Sequence, residues 1–498
     1  TEHVVEEDFI GDHVAIEFMI HPDKCNQGKN YGEILIESAG KKYSVDVVVQ
    51  QKNEMTKHEL DRRREKECKA FLTKNYIEFR RGNVPLEQYV SQARESIQNL
   101  STISEQEIYQ LYNIHFYLVS GEEAAAKELI EGYQGKLRTI KEENSLLYGG
   151  ISYLNAMLYK DEASILFACD AIKEAYQREP QNYWLFWFLL LLDKQYYNQP
   201  KQMLEHLYQV FEDGVTSPVL YFEAMSVYVR NPSLLYSLGK IEIQVLNFGL
   251  KHQMITEDVA NQIAYLATKE RYYNRIVCNI LKQCYEKQPT KDILTAICSM
   301  LIKGHIRTPD SFKWYSLGVE EQIRVTELHE YYMYTIDESK EEPLPQPILL
   351  YYIYNSSLTD KKRAYLYARI VKDKEKNGSI YRTYAKKIEQ FAKRQLAKQH
   401  INENLAVLYE CLIEEGTLED ENIADLAIVA HRVQVQCDEP MMRGVTVVQT
   451  IIDQEEMIPF ADGKCQITML SEDTNIYICD NKGNRFCASV PYKLHRYL

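Results

Sequence analysis

Asn144–Pro180 reads NSLLYGGISYLNAMLYKDEASILFACDAIKEAYQREP. Apolar residues recur three and four apart over Ser145–Tyr159 and again over Glu162–Gln177, the period of helices with one buried stripe. A turn falls at Lys160-Asp161, and Pro180, which has no amide donor, closes the second helix. The stretch predicts a helical hairpin. One such hairpin cannot bury its own apolar face, so it requires neighbours of the same kind. That is an architecture and not an activity.

Turn signals outward from this hairpin repeat the pattern. Leading helices of successive pairs are expected near Ser104, Asn144, Asn182, Pro218, Thr256 and Thr290, at spacings of roughly 34 to 40 residues, typical of helical repeats. Asn198-Gln199-Pro200, Asn231-Pro232, Gln288-Pro289-Thr290 and Thr308-Pro309-Asp310 each offer a cap and a break. Tyr183–Leu192 is apolar all round, as a helix buried between neighbours is. It is too short for a membrane span of about 18 residues or more.

The remaining segments frame this body. Residues 1–50 read as an Ig-like β-module: Val14–Ile20 alternates in part, and Glu33–Glu37 and Lys42–Val49 flank a hairpin turn at Ser38-Ala39-Gly40-Lys41. Tyr43, Val45, Val47 and Val49 would share one face. Residues 51–84 read as a charged connecting helix held by i, i+3 and i+4 pairs. The solenoid is assigned to 85–336, a Pro-rich linker to 337–347, and further hairpins to 348–431 at Ile348–Asn355, Thr359–Lys374, Ser379–Gln399 and Glu403–Glu414. A small β-module takes 432–498, with strands expected at Val445–Ile452, Cys465–Leu470, Asn475–Cys479 and Arg485–Val490 and a turn at Asp480–Gly483.

Composition bounds the function. The chain has 498 residues, 45% of them hydrophobic, with 20 Gly and 14 Pro, so it supports extensive cores and is neither disordered nor collagen-like. It opens on Thr1 and is read as a fragment or processed form. The net charge of −14 disfavours non-specific nucleic-acid binding. Eleven cysteines with no C-x-x-C pair, including Cys169, Cys278, Cys284, Cys298 and Cys411 in apolar runs, are expected as buried thiols. This favours a cytoplasmic location, with the surface of an anaerobe as the alternative.

No motif carries chemistry. There is no H-E-x-x-H, EF-hand loop, phosphate-binding glycine loop or G-x-S-x-G elbow. Gly149-Gly150 sits inside a helical pattern. The histidines, His115 among them, are scattered and read as structural or surface residues. Cys465, Cys479 and Cys487 read as β-core packing, and Glu414-Glu415 and Glu419-Asp420-Glu421 as a solvated turn. No catalytic, cofactor-binding or metal residue is assigned, no cofactor is expected, and the chain is read as not an enzyme.

Two surface features remain. Asp360–Gln399 holds 13 Lys/Arg against four acids, whereas 401–425 holds eight acids and no Lys/Arg. On a helical wheel Arg382, Lys386, Lys387, Lys393, Arg394 and Lys398 share one half, opposite Tyr381, Tyr384, Ile388, Phe391 and Gln395. The leading reading is neutralisation by the acidic helix. The functional reading is a face for an anionic partner, and a membrane surface is a third. There are 38 Tyr against 15 Phe. Tyr331, Tyr332, Tyr334, Tyr351, Tyr352 and Tyr354 are expected to pack, ring buried and hydroxyl wet, or alternatively to line an aromatic groove.

With Pro180 as its last marked position, the opening stretch resembles a tetratricopeptide repeat. Ala156, Tyr159, Ala168, Ile172 and Ala175 fall at its small, aromatic, small, large and small positions. The resemblance is specific over 149–180 and loose over 85–430. The expected fold is mainly α: an α-solenoid of TPR-like helical hairpins flanked by small β-modules at the N- and C-terminus. The whole chain also resembles the C-terminal part of a family of large clostridial-type bacterial proteins with no assigned activity, through His21–Lys24, Gly28–Gly32 and Arg324–Met333. The function expected is a non-enzymatic binding scaffold holding a protein or peptide partner. The alternatives are a cell-envelope module that binds glycan through its β-domains and Tyr-rich grooves, and the regulatory region of a larger enzyme.

Overall fold

A computed structural model describes residues 2–4, 18–20, 25, 28–38, 41–50, 57–103, 107–340 and 342–498. The fold is mainly α, an array of helical hairpins with small antiparallel β-modules at both ends. It divides into two units, Thr1–Ala296 and Ile297–Leu498.

The first unit is organised around the hairpin of residues 144–180. Asn144 accepts the Leu147 amide and Asp161 the Ser164 amide, each at 2.9 Å. These caps start the helices Ser145–Tyr159 and Glu162–Arg178. Lys160 turns the chain between them in left-handed backbone, φ 57°. Ala156, Ala168, Ile172 and Ala175 are buried, but Tyr159 is exposed. The starts expected near Asn182, Pro218, Thr256 and Thr290 are met by helices Tyr183–Leu192, Pro218–Arg230, Glu257–Lys269 and Lys291–Lys303. The start expected at Ser104 lies outside the described residues, and the next helix is Ile108–Val119.

Gly149-Gly150 has a packing role. A Cβ on Gly149 would lie 2.3 Å from Leu185 Cδ2, and one on Gly150 2.5 Å from Leu111 Cδ1. Glycine at both positions lets Ser145–Tyr159 lie close against Ile108–Val119 and Tyr183–Leu192.

At the N-terminal end, Glu2–Val4 pairs with Phe18–Ile20, and Lys29–Ser38 with Lys41–Gln50, both antiparallel. The first part of the expected 14–20 strand, residues 14–17, and the turn residues 39–40 lie outside the described residues. In the expected apolar stripe Val47 and Val49 are half-buried, whereas Tyr43 and Val45 are exposed. Helix Lys57–Arg80 follows.

The second unit carries helices Pro309–Glu320, Leu328–Thr335, Gln346–Tyr354, Asp360–Lys372, Gly378–Ala397 and Glu403–Glu415. A further helix, Asp420–Ala430, replaces the expected solvated turn. Glu419 caps it reciprocally with Asn422, because carboxylates satisfy the unpaired amides of a helix start. Pro347, assigned to the linker, instead lies in the first turn of Gln346–Tyr354, where a missing amide costs nothing.

The C-terminal strands form a four-stranded and a three-stranded antiparallel sheet. Val433, Val435, Val445, Val447, Ile467, Ile476 and Ile478 make one core between them. Cys465 belongs to that core, Cys479 is buried, and Cys487 is exposed. Strands Arg432–Gln436, Gln454–Pro459 and Lys493–Arg496 were not expected; the last two are mostly or fully exposed and show no alternation, whereas Arg432–Gln436 alternates buried and half-buried residues and was missed despite that signal.

Candidate functional site

Two concavities stand out, one in each unit. The first is a cavity of about 360 Å³ inside the helical body of the first unit. It is walled by side chains of helices Lys57–Arg80, Ile108–Val119, Ser145–Tyr159 and Tyr183–Leu192. Tyr183–Leu192 was expected to be buried all round, and Leu185, Phe186, Trp187, Leu189 and Leu190 are buried. Tyr183, Trp184 and Phe188 instead line the cavity and stay half-accessible.

The rings pack edge to face and stacked, as their quadrupoles prefer. Trp184 and Trp187 lie 5.4 Å apart at 69°, Trp187 meets Tyr76 at 5.1 Å and 88°, and Phe188 stacks on Tyr153 at 4.7 Å and 17°. Beside this wall, Glu223 is 4% exposed. Its Oε1 accepts from Arg80 Nη1 at 3.2 Å and from Trp187 Nε1 at 3.4 Å, and Tyr76 hydrogen-bonds the same guanidinium. At the rim Lys69 pairs with Glu65 at 2.6 Å, and Glu65 also accepts the Tyr109 hydroxyl at 3.2 Å.

His115, expected as a structural or surface histidine, lines the cavity. Burial depresses its pKa from 6.5 to about 4, so the ring is neutral near pH 7. Burial likewise raises the hydroxyl pKa of Tyr112, Tyr89 and Tyr153 well above the ordinary phenol value. The available signal was the density of aromatic residues in Tyr183–Phe188, opposite the paired glycines.

The second concavity is an open cleft of about 690 Å³ in the second unit. Its floor is the connection 322–327, faced by Gln346, Pro347, Leu350 and Tyr351. Gln322 and Glu327 bracket that connection in left-handed backbone, φ 54° and 64°. Among the described residues, the amides of Arg324, Val325, Thr326 and Glu327 donate no hydrogen bond. The His329 ring stacks on Tyr351 at 4.3 Å and 11°. The Tyr351 hydroxyl donates to Glu330 Oε1 at 2.7 Å, and burial together with that carboxylate pushes its pKa up to about 12.

Of the six tyrosines proposed as a groove, Tyr351 alone lines this cleft. Tyr331, Tyr332 and Tyr352 are core residues, 2%, 4% and 3% exposed, Tyr334 is half-buried and Tyr354 stands 93% exposed. They do not form one aromatic groove. Alternate tyrosines on a helix point to different faces, so a run of them cannot line a single surface.

The basic segment is partly neutralised. Lys374 pairs with Glu414 at 2.7 Å, and Lys393 with both Glu389 and Glu419 at 3.0 Å. Arg394 pairs with Asp360 at 3.4 Å, and Lys387 donates to the Ile353 carbonyl. Arg382, Lys386 and Lys398 are exposed and have no ion-pair partner among the described residues. No three His, Cys, Asp or Glu side chains among the described residues are grouped as a metal site requires. No helix among them is long and apolar enough to cross a membrane.

The full chain, residues 1–498, matches the model described as "Family of unknown function (DUF5717) N-terminal". The chain belongs to this family. The match is to the N-terminal region of DUF5717, whereas the sequence resemblance had implied a C-terminal part. No curated protein and no solved structure matches this DUF5717 chain.

Proposed function

We propose that the chain is a non-enzymatic binding scaffold of tetratricopeptide-like hairpins that holds an extended peptide segment of a protein partner in the cleft of the second unit. The observation that carries this reading is the run of four unengaged amides, Arg324–Glu327, along the cleft floor. An extended peptide gains affinity from main-chain hydrogen bonds and specificity from side-chain contacts. Leu350 and Val325 supply apolar contact, and Arg324, Glu327 and Gln346 supply polar contact. Arg382, Lys386 and Lys398 extend the reading to a partner with an acidic segment. The buried thiols Cys169, Cys278, Cys284 and Cys411 fit a reducing, cytoplasmic setting.

The test is selection from a displayed library of random linear peptides, followed by titration of the selected peptides. Leu350→Glu changes an exposed cleft residue and is expected to weaken them at least tenfold, about 1.4 kcal/mol, with an unchanged melting temperature. Selected peptides that bind Leu350→Glu as well as the parent would remove the cleft from the proposal.

A further inference from the structure

We propose that the cavity in the first unit is a binding site for a neutral, planar aromatic or heteroaromatic small molecule. This does not rest on the peptide reading, which concerns the second unit.

Protein interiors pack to crystal-like density, so a void of about 360 Å³ is not ordinary packing. It falls within the range of roughly 300–1,000 Å³ typical of small-molecule sites. Its walls are ring surfaces, Trp184, Trp187, Phe188 and Tyr112 among them, which favour a flat partner by stacking and edge contact.

The polar groups strengthen the case. The side chains of His115, Tyr89, Tyr112 and Tyr153 line the cavity, and none makes a hydrogen bond to another described residue. None is among the side-chain polar atoms sealed in the protein without a partner. Their polar atoms therefore open onto accessible space. Buried polar groups normally find partners, so four unspent ones around one cavity describe the complement of a ligand with both donors and acceptors. Neutral His115 offers one donor and one acceptor, and each phenol offers both.

Charge selects the ligand class. Aromatic walls also suit a cation, but both nearby carboxylates are already paired, Glu65 with Lys69 and Glu223 with Arg80. Lys69 stands at the rim already paired with Glu65, so neither charge is left to hold a ligand ion. An anion would enter among ring faces of negative potential without a dedicated guanidinium, because Arg80 is held by Glu223. A neutral molecule meets neither penalty.

The experiment titrates the full chain with 1-naphthol by calorimetry, with choline and laurate as comparison ligands. The expected result is saturable 1:1 binding of 1-naphthol and none of choline. Thr73→Trp, which directs a bulky ring into the cavity from its lining, is expected to abolish binding. His115→Leu keeps the shape, removes the hydrogen-bonding ring, and is expected to weaken binding at least tenfold while the fold, monitored by circular dichroism, persists. Absence of saturable binding to the folded chain overturns the site. Binding unaffected by His115→Leu, or by a folded Thr73→Trp, also overturns it. Preference for choline or laurate overturns the ligand class.

Discussion

Tyrosines serve opposite purposes in the two units. In the second unit three core phenols are spent on backbone carbonyls: Tyr315 donates to Ile306 at 2.8 Å, Tyr384 to Leu349 at 2.6 Å, and Tyr409 to His400 at 2.6 Å. The Ile306 and His400 carbonyls lie beyond helix ends, where intrahelical donors run out, whereas the Leu349 carbonyl lies inside Gln346–Tyr354 and takes the phenol as a second donor. Each such phenol fills a core with its ring and satisfies a buried acceptor with its tip. In the first unit the cavity phenols Tyr89, Tyr112 and Tyr153 have rings in contact and no hydrogen-bond partner among the described residues. The residue type is the same, but in one place the hydroxyl holds the fold and in the other it faces a void. Tyr352 and Tyr365 depart from the second-unit pattern, since their hydroxyls are sealed with no partner among the described residues.

The largest expected effect concerns the charge pair beside the cavity. Arg80→Met leaves the Glu223 carboxylate buried and unpaired, and is expected to cost about 3 kcal/mol in urea unfolding. A loss under about 1 kcal/mol would mean that Glu223 is satisfied by water that reaches it behind the cavity wall.

His115 sharpens the comparison through pH. Its folded pKa, about 4, lies below the ordinary 6.5. The neutral form is therefore favoured by folding, and that contribution is complete above pH 6.5 and is lost as pH falls towards 4. Allowing for water in the cavity, the loss should be about 2 kcal/mol. It should be absent from His115→Leu when unfolding is followed between pH 7 and 4. A parallel loss in both proteins would assign the titration elsewhere.

Smaller effects test the surface. Asp161→Ala removes the cap of Glu162–Arg178 and should cost about 1 kcal/mol. In the second unit Lys386→Glu should change stability by no more than about 0.5 kcal/mol, because it has no partner to lose. Lys393→Glu, set against Glu389 and Glu419, should cost more than Lys386→Glu in the same thermal melts.

Much of the array was legible because helix boundaries are local. Asn144, Asn182, Pro218 and Thr256 stand at helix starts, and caps and prolines act within a turn of where they lie. The helix Asp420–Ala430 was missed because its three leading acids look like solvated charge unless they are read as a cap. The cavity was not legible. Tyr76, His115, Tyr153 and Trp184 come from four helices, and whether their side chains interdigitate or leave space depends on tertiary packing. The tyrosine groove failed for the related reason that a local run does not reveal which members face a core.

The most direct measurement replaces Tyr with Phe in both units and compares unfolding free energies. Tyr315→Phe and Tyr409→Phe each strand a carbonyl beyond a helix end and should lose about 1–2 kcal/mol, and Tyr384→Phe, whose Leu349 carbonyl keeps its helical donor, should lose about 1 kcal/mol. Tyr89→Phe, Tyr112→Phe and Tyr153→Phe remove hydroxyls that hold nothing, and should lie within about 0.5 kcal/mol of the parent. Equal losses in the two sets would show that the cavity phenols are structural, and would contradict the distinction on which the ligand site rests.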